Sequence, residues 1–129
     1  MIVGIGTDII EIARIDQMQA KFPDAFAKRL LTATELSELA QSQHPERFLA
    51  KRWALKEAVS KALGTGIAKG VSFTDMQIGH TELGAPTLHL NGISLQRAQQ
   101  LGITDWQISV SDEQHYCVAF AIAQAVPKT

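Results

Sequence analysis

Several absences narrow what this chain can be. It has one cysteine, Cys117, so no disulfide can form within it. That cysteine lies in the apolar run Cys117–Ala123, which predicts a buried, inert thiol in a reducing compartment. No apolar run approaches the roughly 20 residues needed to cross a bilayer. The N-terminus opens on apolar residues but lacks a basic lead and a small-residue cleavage site, so no signal peptide is expected. A cytoplasmic protein with no membrane role follows as an expectation. The net charge of −1 gives no overall attraction to nucleic acid or anionic lipid. There is no G-x-x-x-x-G-K-[ST] phosphate loop and no serine in a G-x-S-x-G setting. The four histidines, His44, His80, His89 and His115, lack zinc-site spacing and there is no cysteine pair to join them.

What is present reads as one domain over residues 1–129. Apolar residues make up 46% and charged residues 19%, a balance that supports a folded core rather than disorder. A chain of this length buries about two-thirds of its unfolded surface. The charges are unevenly placed. Between Pro45 and Gly70, six cations (Arg47, Lys51, Arg52, Lys56, Lys61, Lys69) face two anions, Glu46 and Glu57. From Val71 onward five acids face Arg97 and Lys128. A cationic segment of this kind suits a polyphosphate ligand, and on charge alone it serves equally as a solvated helix face.

Residues 2–10, IVGIGTDII, are rich in β-branched residues and predict a strand ending near Asp8. Ile12, Ile15, Met18 and Phe22 recur at helical spacing, so a helix follows and stops before Pro23. Phe26, Leu30 and Leu31 add a helical turn, and the capping-box pair Thr32 and Glu35 opens a short helix to about residue 42. Pro45 and Gly64 bracket a long helix with Phe48, Leu55, Val59 and Ala62 as its apolar stripe. Strands are expected at 72–78 and 87–90, a short helix from Ile93 to Leu101, and a final hairpin of Trp106–Ser111 and Tyr116–Ala123. The last strand is apolar on both faces and should be central. The order β-α-α-α-β-β-α-β-β is α+β, an antiparallel or mixed sheet against a long central helix.

Few residues here could carry chemistry. Asp8 sits among apolar neighbours, where an acid is costly unless it is paired, caps the next helix or binds a metal. Gly4 and Gly6 before it permit close approach of another backbone or a ligand. Glu57 and Lys61 have the i,i+4 order of a surface ion pair, worth about 0.2–0.5 kcal/mol. If Asp8 and Glu57 meet in space, they form with water and a diphosphate a normal magnesium shell, and Lys61 adds positive charge beside it. The loop Gly64-Thr65-Gly66 reads first as a helix C-cap.

Three segments, GIGTDIIEIARI, FLAKRWALKEAVSKALGTGI and ISVSDEQHYCVAFAI, closely resemble the holo-acyl-carrier-protein synthases, the small bacterial phosphopantetheinyl transferases. The resemblance runs over essentially the whole chain and preserves order and spacing. It implies Mg2+-dependent transfer of 4′-phosphopantetheine from coenzyme A to a serine of apo-acyl carrier protein, in support of fatty acid biosynthesis. By position it implies Asp8 and Glu57 as magnesium ligands and Lys61 beside the transferring phosphate. It further implies Arg52 as a contact to the adenosine end and Gly64, Thr65 and Gly66 as the loop closing on the diphosphate. Arg14 matches the family's basic contact for the carrier protein's acidic helix, and Lys21, two turns along the same surface with Met18 as an apolar neighbour, is a weaker candidate. Homotrimers with active sites between subunits are implied as well. One departure is Asp112, where many relatives carry histidine, and His115 is a candidate stand-in. Two other readings use the same residues: a magnesium-dependent pyrophosphatase acting on coenzyme A, and a non-catalytic subunit that binds carrier proteins.

Overall fold

The computed structural model describes residues 1–127. Its elements are β1 (Ile2–Glu11), α1 (Ile12–Lys21), α2 (Pro23–Leu30), α3 (Ala33–Ala40), α4 (Pro45–Ala62), a 3-10 turn at Phe73–Asp75, β2 (Met76–His80), β3 (Pro86–Leu90), α5 (Gly92–Gln100), β4 (Asp105–Asp112) and β5 (Tyr116–Gln124). An antiparallel sheet runs in the order β1-β5-β4, so β5 is central as expected, and β2 and β3 form a separate hairpin. Helix α4 lies across β1 and β5 and makes the molecule an α+β fold.

Most local signals act where the sequence puts them. Thr32 and Glu35 form a reciprocal capping box, with both hydrogen bonds made. Pro45 takes the first turn of α4, and Gly64 follows its end at φ 82°, a left-handed conformation open to glycine at little cost. Three expectations are corrected. Residues 23–30 are a full helix rather than one turn: Pro23 starts it, Asp24 occupies its first turn, and Lys28 and Arg29 its last. Residues 73–75 are a 3-10 turn, not strand. Strand β1 does not end near Asp8 but runs on to Glu11, so Asp8 pairs with Ala119 in mid-strand and caps no helix.

Helix α4 is buried on more than the one expected stripe. Leu55, Val59 and Ala62 are buried with Leu49, Ala50, Ala54 and Ala58, and Arg52, Lys56 and Ser60 are buried too. The solvated-face reading therefore fails for Arg52 and Lys56. One side of the helix presses directly on β1. A Cβ on Gly6 would stand 1.8 Å from the Ala58 carbonyl oxygen, and one on Gly4 2.1 Å from that of Ala62. Only glycine permits this backbone contact.

The opposite face of the sheet is open. Ile5 and Ile9 are each 65% exposed and Phe120 50%, an apolar band across β1 and β5. Cys117 points the other way and is fully buried, and burial raises its thiol to about 11. It is inert, as its sequence setting implies.

Candidate active site

The glycine contacts decide where Asp8 falls. Gly4, Gly6 and Asp8 alternate onto the face of β1 that meets α4. Gly4 rests at Ala62 and Gly6 at Ala58, which brings Asp8 alongside the same stretch of helix. The Lys61 Nζ donates to Asp8 Oδ1 at 3.1 Å and to the Thr7 carbonyl at 2.9 Å. Lys61 does not pair with Glu57, so the simple i,i+4 ion pair is not formed.

Asp8 and Glu57 feel one another. Burial raises the Glu57 carboxyl above its ordinary range, and the Asp8 charge pushes it further, against the pull of Lys61 and Arg29. Burial likewise raises Asp8, opposed by the Lys61 bond and charge. The Asp8 side chain is 13% exposed, and its Oδ2 is buried with no hydrogen-bond partner. A buried carboxylate oxygen left unpaired is costly, and it is the kind of valence that a cation satisfies. Among the described residues no three His, Cys, Asp or Glu side chains gather to form a protein-only metal cage. Two carboxylates alone suit a hard ion that keeps much of its water or takes phosphate oxygens, which is the habit of Mg2+.

The glycine loop begins at Gly64, three residues after Lys61 in the last turn of α4. Gly64 and Gly66 have φ values of 82° and 65°, so both need glycine. The amides of Gly64 and Gly66 donate to the Lys61 and Ser60 carbonyls at 3.0 and 3.1 Å, as the C-cap reading predicts. A Cβ on Gly66 would meet nothing within 4 Å, so the loop's outer side is open to a ligand.

Arg52, the implied contact to the adenosine end, is engaged by protein partners. It is 5% exposed; its Nη1 donates to Glu35 Oε2 at 3.1 Å, its Nη2 faces Glu38, and it stacks over Phe48. Its guanidinium is committed to the interior. The freer cations beside it are Arg47 and Lys51, which with Arg52, Phe48 and His44 line a cavity of about 420 Å³. Both reach Asp112, at 2.8 and 3.3 Å. Burial pushes Asp112 upward, but the Arg47 and Lys51 contacts hold its carboxyl below the usual range. His115 is exposed in the following turn.

On α1, Arg14 and Lys21 are exposed and Met18 is half-buried against the core, so the three lie along one outward surface. Phe22 extends it: the ring is 55% exposed, with Lys21 Nζ 5.5 Å from its centroid. The expected helix periodicity counted Phe22 as a packing residue. Arg29, whose charge reaches Glu57, was also missed; nothing at sequence level separates it from an ordinary cation ending a helix.

Paired carboxylates, a flanking lysine and an open glycine loop support phosphoryl-group chemistry assisted by a hard divalent ion. Comparison with known proteins narrows that class. Residues 4–121 match the model of the 4′-phosphopantetheinyl transferase superfamily. The holo-[acyl-carrier-protein] synthase of Hydrogenovibrio crunogenus is 59% identical over 97% of this chain and 98% of its own. The crystal structure of the Neisseria meningitidis holo-[acyl-carrier-protein] synthase matches with a TM-score of 0.89 at 46% identity, covering 96% of this chain and 99% of that one. The Helicobacter pylori synthase, solved in complex with coenzyme A, matches at 0.81 and 32% identity over 93% and 99%. The chain belongs to the 4′-phosphopantetheinyl transferase superfamily.

Proposed function

We propose that this protein transfers the 4′-phosphopantetheine arm of coenzyme A to a serine of apo-acyl carrier protein, leaving adenosine 3′,5′-bisphosphate. The observation that carries the reading is the unpartnered Asp8 Oδ2 beside Glu57 and Lys61. The coenzyme A bound to the Helicobacter pylori relative supports the choice of donor. Asp8 and Glu57 would hold Mg2+, which when bound neutralises charge on the diphosphate. Lys61, 48% exposed, turns its ammonium toward the same space and adds charge stabilisation to the leaving phosphate. Glu57 is the candidate acceptor of the serine proton, directly or through a water. Its carboxyl shares the space of Asp8 and Lys61, where the serine must arrive for transfer.

The carrier protein docks, in this reading, on the α1 surface of Arg14, Met18 and Lys21, where two free cations meet an acidic helix. The apolar band of Ile5, Ile9 and Phe120 supports self-association, and a homotrimer would cover it. No helix among the described residues is long and apolar enough to cross a membrane. Together with the buried lone thiol, this is in keeping with work in the cytoplasm.

The deciding measurement is a mass spectrum of apo carrier protein after incubation with coenzyme A, Mg2+ and this protein. One added phosphopantetheine is expected. Breakdown of coenzyme A without any carrier would instead indicate a pyrophosphatase, and magnesium-indifferent binding without transfer a non-catalytic subunit. Glu57→Gln should lower transfer at least about a hundredfold while the fold persists. Near-normal turnover in that variant would overturn its role.

A further inference from the structure

The loop from Gly64 to Gly70 is held at both ends by one element, α5. At its start, Arg97 Nε donates to the Leu63 carbonyl at 3.0 Å, and its guanidinium lies 3.5 Å from where a Cβ on Gly64 would be. At its end, Gly70 packs so closely on Ile93 that a Cβ would stand 3.1 Å from the Ile93 side chain. Helix α5 is itself fixed. Asp75 Oδ2 accepts from the Ser94 amide at 3.3 Å and hydroxyl at 3.1 Å, and the Asp75 carbonyl accepts from the Asn91 amide at 2.8 Å. Among the described residues, the Arg97 bond is the one side-chain hydrogen bond that reaches residues 63–70 from another element. The loop's own backbone bonds run from the Gly64, Thr65 and Gly66 amides back to the last turn of α4, and further along from the Ala68 amide to Gly66 and the Val71 amide to Ala68. They fix its local shape; Ile67 packs its middle on the core, and α5 supplies the side-chain hydrogen bond at its start and the Ile93 contact at its end.

We infer that Arg97 is a positioning residue for coenzyme A: by tying the Leu63 carbonyl to α5, it sets the glycine loop at the height at which the loop meets the diphosphate. This rests on the transfer reading above. Arg97 touches no reacting group; it acts through the loop. A cation at a helix C-terminus also stabilises that end by itself, so stability alone cannot distinguish the two roles. A mere cap would change folding, whereas a positioning residue changes the apparent affinity for one substrate.

The test compares wild type, Arg97→Met and Arg97→Lys by amide hydrogen exchange and steady-state kinetics. Arg97 is half-buried on a surface helix, and methionine keeps its packing stem, so the variant should fold. In Arg97→Met, exchange at Thr65 and Gly66 should quicken by roughly three- to tenfold, the range for one lost hydrogen bond. KM for coenzyme A should rise by a similar factor, with kcat and KM for the carrier protein held within about twofold. Arg97→Lys retains a donor within reach and should recover most of both effects. Unchanged loop exchange overturns the inference, and so does an unchanged KM for coenzyme A or a loss confined to kcat. A wild type that modifies no carrier sinks the transfer reading and this inference together. An active wild type with an indifferent Arg97→Met sinks this inference alone.

Discussion

Helix α4 carries two charged clusters built from the same kinds of residue. Lys56 and Glu57 are adjacent in sequence but belong to different ones. On one side Glu35, Arg52 and Lys56 are buried and complete. Lys56 Nζ donates to the Leu30 carbonyl, Glu35 Oε1 and the Phe73 carbonyl at 2.7, 2.6 and 3.1 Å, using all three of its protons. Glu35 accepts from the Thr32 amide, Lys56, Arg52 and the Ile78 amide. On the other side Asp8, Glu57 and Lys61 are half-open, and Asp8 Oδ2 has no partner. Composition does not distinguish the clusters. Satisfied valence does: the first has nothing left to offer a ligand, and the second does.

The largest break in that comparison comes from the closed cluster. Burial draws the Lys56 ammonium below its usual range, and the Glu35 charge opposes that pull. Lys56→Met would strip Glu35 of one ion-pair partner inside the protein. Losing one partner of a buried pair costs about 3–5 kcal/mol, to be read from urea unfolding. Glu57→Gln, one position along, should leave the urea midpoint nearly unmoved. If Lys56→Met kept wild-type stability, the division into a structural and a functional cluster would fail.

A smaller effect is expected where β1 meets α4. Gly6→Ala places a Cβ 1.8 Å from the Ala58 carbonyl, and both atoms belong to backbone that yields little. Overpacking of this kind costs about 1–3 kcal/mol. Because Asp8 rides the same strand two residues on, the variant should lose transfer beyond what its unfolded fraction explains. Wild-type specific activity in the folded fraction would mean that this contact does not place Asp8.

These clusters show what the sequence could and could not reveal. The Thr32–Glu35 capping box was legible because both of its bonds are local, three residues apart. Gly4 and Gly6 were legible as points of close approach, since glycines in a strand have few other uses. Glu35's second role was hidden, because its bonds to Arg52, Lys56 and Ile78 span 17 to 43 residues. For the same reason Arg52 read as a free cation in a basic run, when a partner on α3 had already claimed it. The apolar stripe on α4 was incomplete because a helix that buries charged residues hides them behind a polar pattern. Asp8 and Glu57 could be proposed as a pair from resemblance, but periodicity alone never brings a strand and a helix together.

The smallest expected effect tests whether the open cluster is held at the expense of the fold. Burial raises the Asp8 carboxyl, so the folded chain holds its proton more tightly than the unfolded chain does. As pH rises from the unfolded value near 3.8 through the raised folded value, the unfolded state ionises first, and folding stability falls. Asparagine cannot ionise and escapes that loss. Asp8→Asn should therefore gain stability relative to wild type as pH climbs, with no such gain below the unfolded value. Relief of the repulsion felt by Glu57 works in the same direction, and loss of the Lys61 contact works against it. The Lys61 bond and charge offset part of the effect of burial, so the gain should be the smallest of these effects. The measurement is thermal unfolding of both proteins across this pH range with a chelator present, and the variant should be transfer-deficient throughout. If the difference instead moved against Asp8→Asn with rising pH, the Lys61 bond would outweigh burial. The open cluster would then be a stabilising ion pair like its buried neighbour, and the contrast between the two sides of α4 would disappear.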